Sequence, residues 1–174
     1  MASPATPSCY WITGLPAAGK TTLGRALVSE LTKRQLQSFL LDGDELRRGL
    51  SADLGLSDKD RAENIRRAGE VARLMASARI RVVCAFVSPF AADRQRVRAL
   101  FPHGAFAEIY LSTPLDVCAG RDPKGLYAKA RRGEISALTG FDAPYEVPAA
   151  PEFEFDTSRT SVDDMLVRIL GREA

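Results

Sequence analysis

Apolar residues along the chain fall into short unbroken runs, separated by longer stretches in which they recur every third or fourth position. The runs Cys9–Thr13, Ser38–Leu41, Val82–Val87, Ala107–Leu111 and Phe153–Phe155 predict strands. Continuous apolar runs of this length suit strands buried on both faces. Helical spacing predicts helices over Lys20–Arg34, Asp58–Arg79, Ala92–Leu100, Leu115–Gly120, Leu126–Arg132 and Val162–Leu170. In the first of these, Leu23, Ala26, Leu27 and Leu31 form the inward stripe. Alternating strands and helices imply an α/β domain with a central parallel sheet, helices on both faces, and ligands beyond the strands' carboxyl ends. Pro144–Pro151 reads as an extended loop, and no repeat or low-complexity linker divides residues 1–174, so one domain is expected.

The second helix has an anomaly at its start. Ser57 and Asp60 have capping-box form, and Ile65, Ala68, Ala72, Met75 and Ala76 define its buried stripe. One turn earlier the same stripe carries Arg61 and Asn64 instead of leucines. An arginine and an amide on an inner face point to a ligand there, whereas Arg66 and Arg67 lie off that line.

Composition narrows the classes. With 174 residues, 45% hydrophobic and 26% charged, the chain can build a full core. A net charge of +2 gives no basic field for nucleic acid, so anion binding must come from local clusters. MASPATPSCYWI has no basic segment leading a long apolar run, and no stretch approaches the length of a membrane span, so neither export nor membrane insertion is expected. Cys9, Cys84 and Cys118 are scattered without a C-x-x-C pair and read as reduced, buried residues of a cytoplasmic protein. His103 reads as a surface residue and Trp11 as core.

Gly14-Leu15-Pro16-Ala17-Ala18-Gly19-Lys20-Thr21 fits G-x-x-x-x-G-K-[ST] between a predicted strand and helix, the setting in which that loop binds phosphate. Its N–H groups and the following helix start, with Thr22, face the anion; Lys20 reaches the β- and γ-phosphates and Thr21 holds Mg²⁺. ATP or GTP is therefore the expected ligand. No N-K-x-D segment for reading guanine is present. At the end of the second strand, Asp42-Gly43-Asp44 supplies two carboxylates. Asp44 suits a base or orienter of an acceptor hydroxyl, and Asp42 an indirect partner of Mg²⁺ or of the phosphate loop. Arg47 and Arg48 follow at once. Residues 121–133 gather Arg121, Lys124, Lys129, Arg131 and Arg132 against one acid, Asp122, as a lid over a triphosphate would.

Together with the phosphate loop and the Asp42–Asp44 pair, several segments resemble adenylylsulfate kinases: Asp60-Arg61 with Glu63–Arg67, Phe86–Pro89, Arg121–Tyr127, Lys129–Arg131, Thr139-Gly140 and Pro144–Glu146. The resemblance implies a P-loop NTPase fold with a mobile lid at about residues 121–146. It also implies Mg²⁺-ATP as donor, the ribose 3′-hydroxyl of adenylyl sulfate as acceptor, and a homodimer. On the same resemblance Asp42, Asp44, Arg47, Leu56, Arg61, Asn64, Val87, Ser88, Pro89, Lys124, Gly125, Leu126 and Leu138 line the acceptor side, and Arg121 packs on the ATP adenine. Ser88 matches a serine described as a phosphoserine intermediate in some bacterial members. With no adjacent base in sequence to activate it, a contact role is the physically milder alternative, and both stand as expectations.

Leu56 and Leu138 depart from the pattern, standing where relatives carry phenylalanines that sandwich the acceptor's adenine. Losing both rings forfeits about 1 kcal/mol each, or roughly tenfold to a hundredfold in acceptor affinity. Glu45 adds a charge where asparagine is frequent. Two alternatives follow: a kinase for another nucleotide hydroxyl, such as a cytidine diphosphate derivative, or a non-catalytic nucleotide-binding module.

Overall fold

The computed structural model describes residues 7–171. The reading of the N-terminal stretch as free of a targeting signal rests in part on residues 1–6, outside the described residues. Five parallel strands form one sheet in the order β2-β3-β1-β4-β5: β1 (Cys9–Gly14), β2 (Ser38–Asp42), β3 (Arg81–Ala85), β4 (Phe106–Leu111) and β5 (Phe153–Phe155). The helices are α1 (Lys20–Lys33), α2 (Gly43–Arg48), α3 (Asp58–Ser77), α4 (Ala91–Arg98), α5 (Leu115–Arg121), α6 (Leu126–Arg131) and α7 (Val162–Leu170). No helix among the described residues is long and apolar enough to cross a membrane.

Strand β1 divides the core, because successive side chains of a strand point to opposite faces. Tyr10 and Ile12 pack with Leu23, Leu27 and Leu31 of α1 and with Met165 and Ile169 of α7. Cys9 and Trp11 pack on the other face with Ile65, Ala68 and Ala72 of α3 and Val97 of α4. Trp11 stacks on Phe86 at 5.1 Å, and all three cysteines are buried thiols. After β1 the chain crosses to the edge strand β2, returns through β3, and then builds β4 on the far side. The loops after β1, β2 and β3 therefore open at one end of the sheet, where its ligand crevice forms.

Most predicted elements occur within two residues of their expected ends. The third strand stops at Ala85 rather than Val87, because Ser88 takes a left-handed φ of 44° and Pro89 follows. The long helix stops at Ser77, ahead of Arg79 at φ 65°. The helix α2 was not predicted. It is only six residues long, too short to show a periodic stripe, and it is started locally by the Asp42 carboxylate, which accepts from the Asp44 N–H.

Candidate active site

The phosphate loop begins where β1 ends. Gly14 sits at φ 150°, and a Cβ there would stand 2.8 Å from the Leu111 carbonyl oxygen, so the first glycine is required by close approach of β4. Gly19, at φ 102°, is the N-cap of α1 and offers no side-chain cap, leaving the helix start open to an anion. Lys20 Nζ donates to the carbonyls of Gly14 (2.9 Å) and Leu15 (2.6 Å) and thus spans the loop. Desolvation by burial lowers its pKa to about 8, and the neighbouring Lys124 acts the same way.

Thr21 Oγ1 donates to Asp42 Oδ2 at 2.6 Å, while Asp42 Oδ1 accepts from the Asp44 N–H at 2.9 Å. One carboxylate thus ties the first turn of α1 to the N-terminus of α2 and aims Asp44 into the cleft. Asp44 is half-exposed and ion-paired with Lys124 from the loop between α5 and α6. Arg47 donates to the Gly55 carbonyl at 3.0 Å and draws the loop before α3 toward the same opening.

Ser57 caps α3 by accepting from the Asp60 N–H. The polar stripe then resolves into two different environments. Asn64 is 4% exposed, and its Oδ1 is among the buried side-chain oxygens of the described residues that lack a hydrogen-bond partner. Such an atom in a cleft wall is satisfied most simply by a ligand donor or water. Arg61 spends three of its five N–H groups on protein oxygens: Leu56 O (2.8 Å), Thr139 Oγ1 (2.8 Å) and Ala137 O (2.5 Å). It fastens the start of α3 to residues 137–139, leaving two N–H groups for an anion. Arg66 and Arg67 turn outward to Glu63, and Arg67 also to Asp53, as the stripe required.

The third strand's exit contributes Val87, Ser88 and Pro89. Ser88 is 1% exposed, and its hydroxyl accepts from Trp11 Nε1 at 2.9 Å. At the C-terminus of α5, Arg121 donates to Thr157 Oγ1 (2.7 Å) and to the Thr157 carbonyl (3.1 Å). Thr157 Oγ1 in turn donates to the Ala18 carbonyl at 2.9 Å, and Tyr127 Oη donates to the Pro16 carbonyl at 3.0 Å. The segment carrying Arg121 and Lys124 is therefore laced to the phosphate loop.

These residues surround one cleft of about 1140 Å³, ample for two nucleotides. Pro16, Ala17, Gly19, Lys20, Thr21, Thr22, Asp42, Asp44, Arg47, Leu56, Arg61, Asn64, Val87, Ser88, Pro89, Arg121, Lys124, Leu126 and Leu138 all line it. Four expected contacts do not. Gly14 ends β1 in the sheet, and Leu15 packs against the core instead. Ala18 is fully buried with its N–H spent on the Leu15 carbonyl, and Gly125 serves as the N-cap of α6. Leu56 is 54% exposed at the mouth, whereas Leu138 is 8% exposed and anchored in the core. Sequence reasoning assigned nothing to Thr157, Arg94 or Thr13, which carry no motif of their own and matter through contacts distant in sequence. His103 is exposed in its loop, away from the cleft.

A phosphate loop, a carboxylate at the next strand's exit and a basic segment facing both define a P-loop kinase. Residues 6–156 match the family model for adenylylsulphate kinase, and the chain belongs to that family. It is 54% identical to the adenylyl-sulfate kinase of Marinobacter nauticus, over 95% of this chain and 83% of that one. The adenylyl-sulfate kinase of Vibrio cholerae is 50% identical over 94% of this chain and 76% of its own. Among solved structures, the Mycobacterium tuberculosis APS kinase in complex with AMPPNP and APS superposes with a TM-score of 0.91. It is 39% identical, and the match covers 98% of this chain and 99% of that one.

Proposed function

We propose that this chain transfers the γ-phosphoryl group of ATP to the ribose 3′-hydroxyl of adenylyl sulfate, with Asp44 as the base. The carrying observation is the Asp42 carboxylate, which binds Thr21 of the phosphate loop with one oxygen and orients Asp44 with the other. Donor and acceptor sites are thereby held in one register, which is most of what phosphoryl transfer asks of a protein. The acceptor oxygen bonds to the γ-phosphorus as the bond to the β–γ bridging oxygen breaks. The hydroxyl proton passes to Asp44, and ADP leaves. Lys20 exchanges its carbonyl partners for phosphate oxygens, and Arg121 packs on the adenine of ATP. Lys124 is released from Asp44 to meet the acceptor. Asn64 Oδ1 and the remaining N–H groups of Arg61 face the acceptor's polar and anionic parts, and Ser88 acts as a contact.

The Thr21 hydroxyl and Asp42 carboxylate are hard oxygen donors that fit Mg²⁺. No cluster of three or more His, Cys, Asp or Glu residues suited to a metal occurs among the described residues. The ion would therefore be held by these two groups, directly or through water, together with the nucleotide, and would supply charge neutralisation on the phosphates. The decisive experiment is ADP release with Mg²⁺-ATP and adenylyl sulfate, set against a panel including cytidine diphosphate derivatives. Turnover confined to another acceptor would overturn the substrate; nucleotide binding without any turnover would overturn the enzyme.

Two further outcomes follow from the site. ATP binding should raise the Lys20 pKa from its value near 8, because phosphate charge replaces carbonyl dipoles. ATP affinity then falls about tenfold between pH 7 and pH 9, with proton uptake on binding near pH 8.5. Calorimetry in buffers of different ionisation enthalpy measures this, and pH-independent affinity would refute it. The two leucines should also behave differently. Leu56→Phe, at the exposed mouth, is expected to lower the acceptor KM roughly threefold to tenfold with little change in melting temperature. Leu138→Phe overpacks a buried position and costs about 1–3 kcal/mol of stability. Acceptor titrations and thermal melts of both variants separate the effects.

A further inference from the structure

The turn after β3 is unusual in how many groups fix it from outside. Ser88 is a non-glycine residue at φ 44°, a conformation kept only where the surroundings impose it. Trp11 Nε1 donates to its hydroxyl, and Arg94 Nη1 donates to its carbonyl at 2.6 Å. Arg94 is 2% exposed and is paired through Nε with the buried Glu108 at 2.8 Å. Its other arm, Nη2, donates to the Glu146 carbonyl at 2.7 Å. The fork therefore joins the Ser88 turn to the stretch that returns from the far side of the cleft.

Glu146 answers with three contacts of its own. Its N–H donates to the Pro89 carbonyl at 2.8 Å, its carbonyl accepts from Arg94, and its Oε2 accepts from the Ala91 N–H at 2.6 Å. Helix α4 lacks a side-chain cap from its own N-cap residue, so this carboxylate supplies the cap, where negative charge is favoured. Beside it, Tyr145 Oη meets Thr13 Oγ1 at 2.9 Å, and Thr13 Oγ1 donates to the Val87 carbonyl at 2.7 Å. Thr13 has one hydroxyl hydrogen and gives it to Val87, so Tyr145 is the donor. Both contacts end on the segment that carries Val87, Ser88 and Pro89, and Thr13 immediately precedes Gly14.

We propose that Glu146 is a positioning residue for the acceptor, its carboxylate pinning the returning segment 145–146 onto the start of α4 and so holding the Ser88 turn in its acceptor-binding shape. The consequence for catalysis rests on the acceptor role given to that turn above; the pin itself does not. Glu146 is exposed, so its removal leaves the core intact, and glutamine retains an acceptor oxygen for the Ala91 N–H. Trp11, the single tryptophan, reports the turn directly through its bond to Ser88.

Wild type, Glu146→Ala and Glu146→Gln are compared by tryptophan emission without substrates and by steady-state kinetics. In Glu146→Ala the emission should shift and the acceptor KM rise about tenfold, one lost charge-assisted hydrogen bond, with the ATP KM within about twofold. Glu146→Gln, which keeps the acceptor oxygen but not the charge, should restore the emission and most of the acceptor KM. Unchanged emission in Glu146→Ala overturns the proposal whatever the kinetics; so does an unchanged acceptor KM in an active enzyme, or a lowered melting temperature with neither moved. Wild type inactive toward adenylyl sulfate would remove only the substrate assignment, because the emission test needs no acceptor.

Discussion

Asp44→Asn is expected to lower kcat by about a thousandfold, within the range attributed to a positioned general base, while the dissociation constant for Mg²⁺-ATP moves by less than about threefold. Asparagine keeps the shape of the side chain and the N–H that Asp42 accepts, so α2 still starts where it does and Thr21 keeps its partner. What is lost is an oxygen able to take the acceptor's proton, together with the charge opposite Lys124. Single-turnover transfer and equilibrium nucleotide binding, measured on the same preparation, read the two quantities separately. A large loss of ATP affinity would reassign Asp44 to the donor site, and retained turnover would remove it from proton transfer.

Lys20→Ala is expected to reduce kcat/KM by roughly a hundredfold to a thousandfold, the scale on which one preorganised group stabilises developing charge. The ammonium lies between the Gly14 and Leu15 carbonyls, within the loop proposed to bind phosphate. Stability should move the other way. A lysine whose folded-state pKa is lowered to about 8 from 10.5 binds fewer protons folded than unfolded between those values. Its charged form therefore disfavours the fold below pH 8, and that cost shrinks as pH rises from about 8 toward 10.5. Removing the side chain should leave the melting temperature at pH 7 unchanged or higher. Lower activity with a lower melting temperature would indicate damage to the loop rather than loss of a phosphate contact.

Features encoded locally were legible in the sequence. The loop Gly14–Thr21 needs glycine at Gly14 for close backbone approach and at Gly19 for its positive φ, so its pattern survives in one dimension. The capping box at Ser57 and the anomalous stripe of Arg61 and Asn64 were visible because a helix repeats its faces at fixed spacing. The same periodicity could not say that Arg61 would bind the 137–139 segment while Asn64 would be left with an unpartnered oxygen. Those outcomes depend on where the chain returns nearly eighty residues later, which no local signal records.

The sequence by itself determined the order of the strands and of every helix but α2, the phosphate loop, the carboxylate pair and the resemblance that names the family, because each rests on short-range spacing and residue type. Only the tertiary structure decided the two tasks of Asp42, the different exposures of Leu56 and Leu138, and the convergence of Arg94, Glu146 and Tyr145 on the Ser88 turn. The physical reason is that a hydrogen bond or a buried ion pair is defined by ångström-scale placement of groups far apart in the chain, and the folded core alone sets that placement.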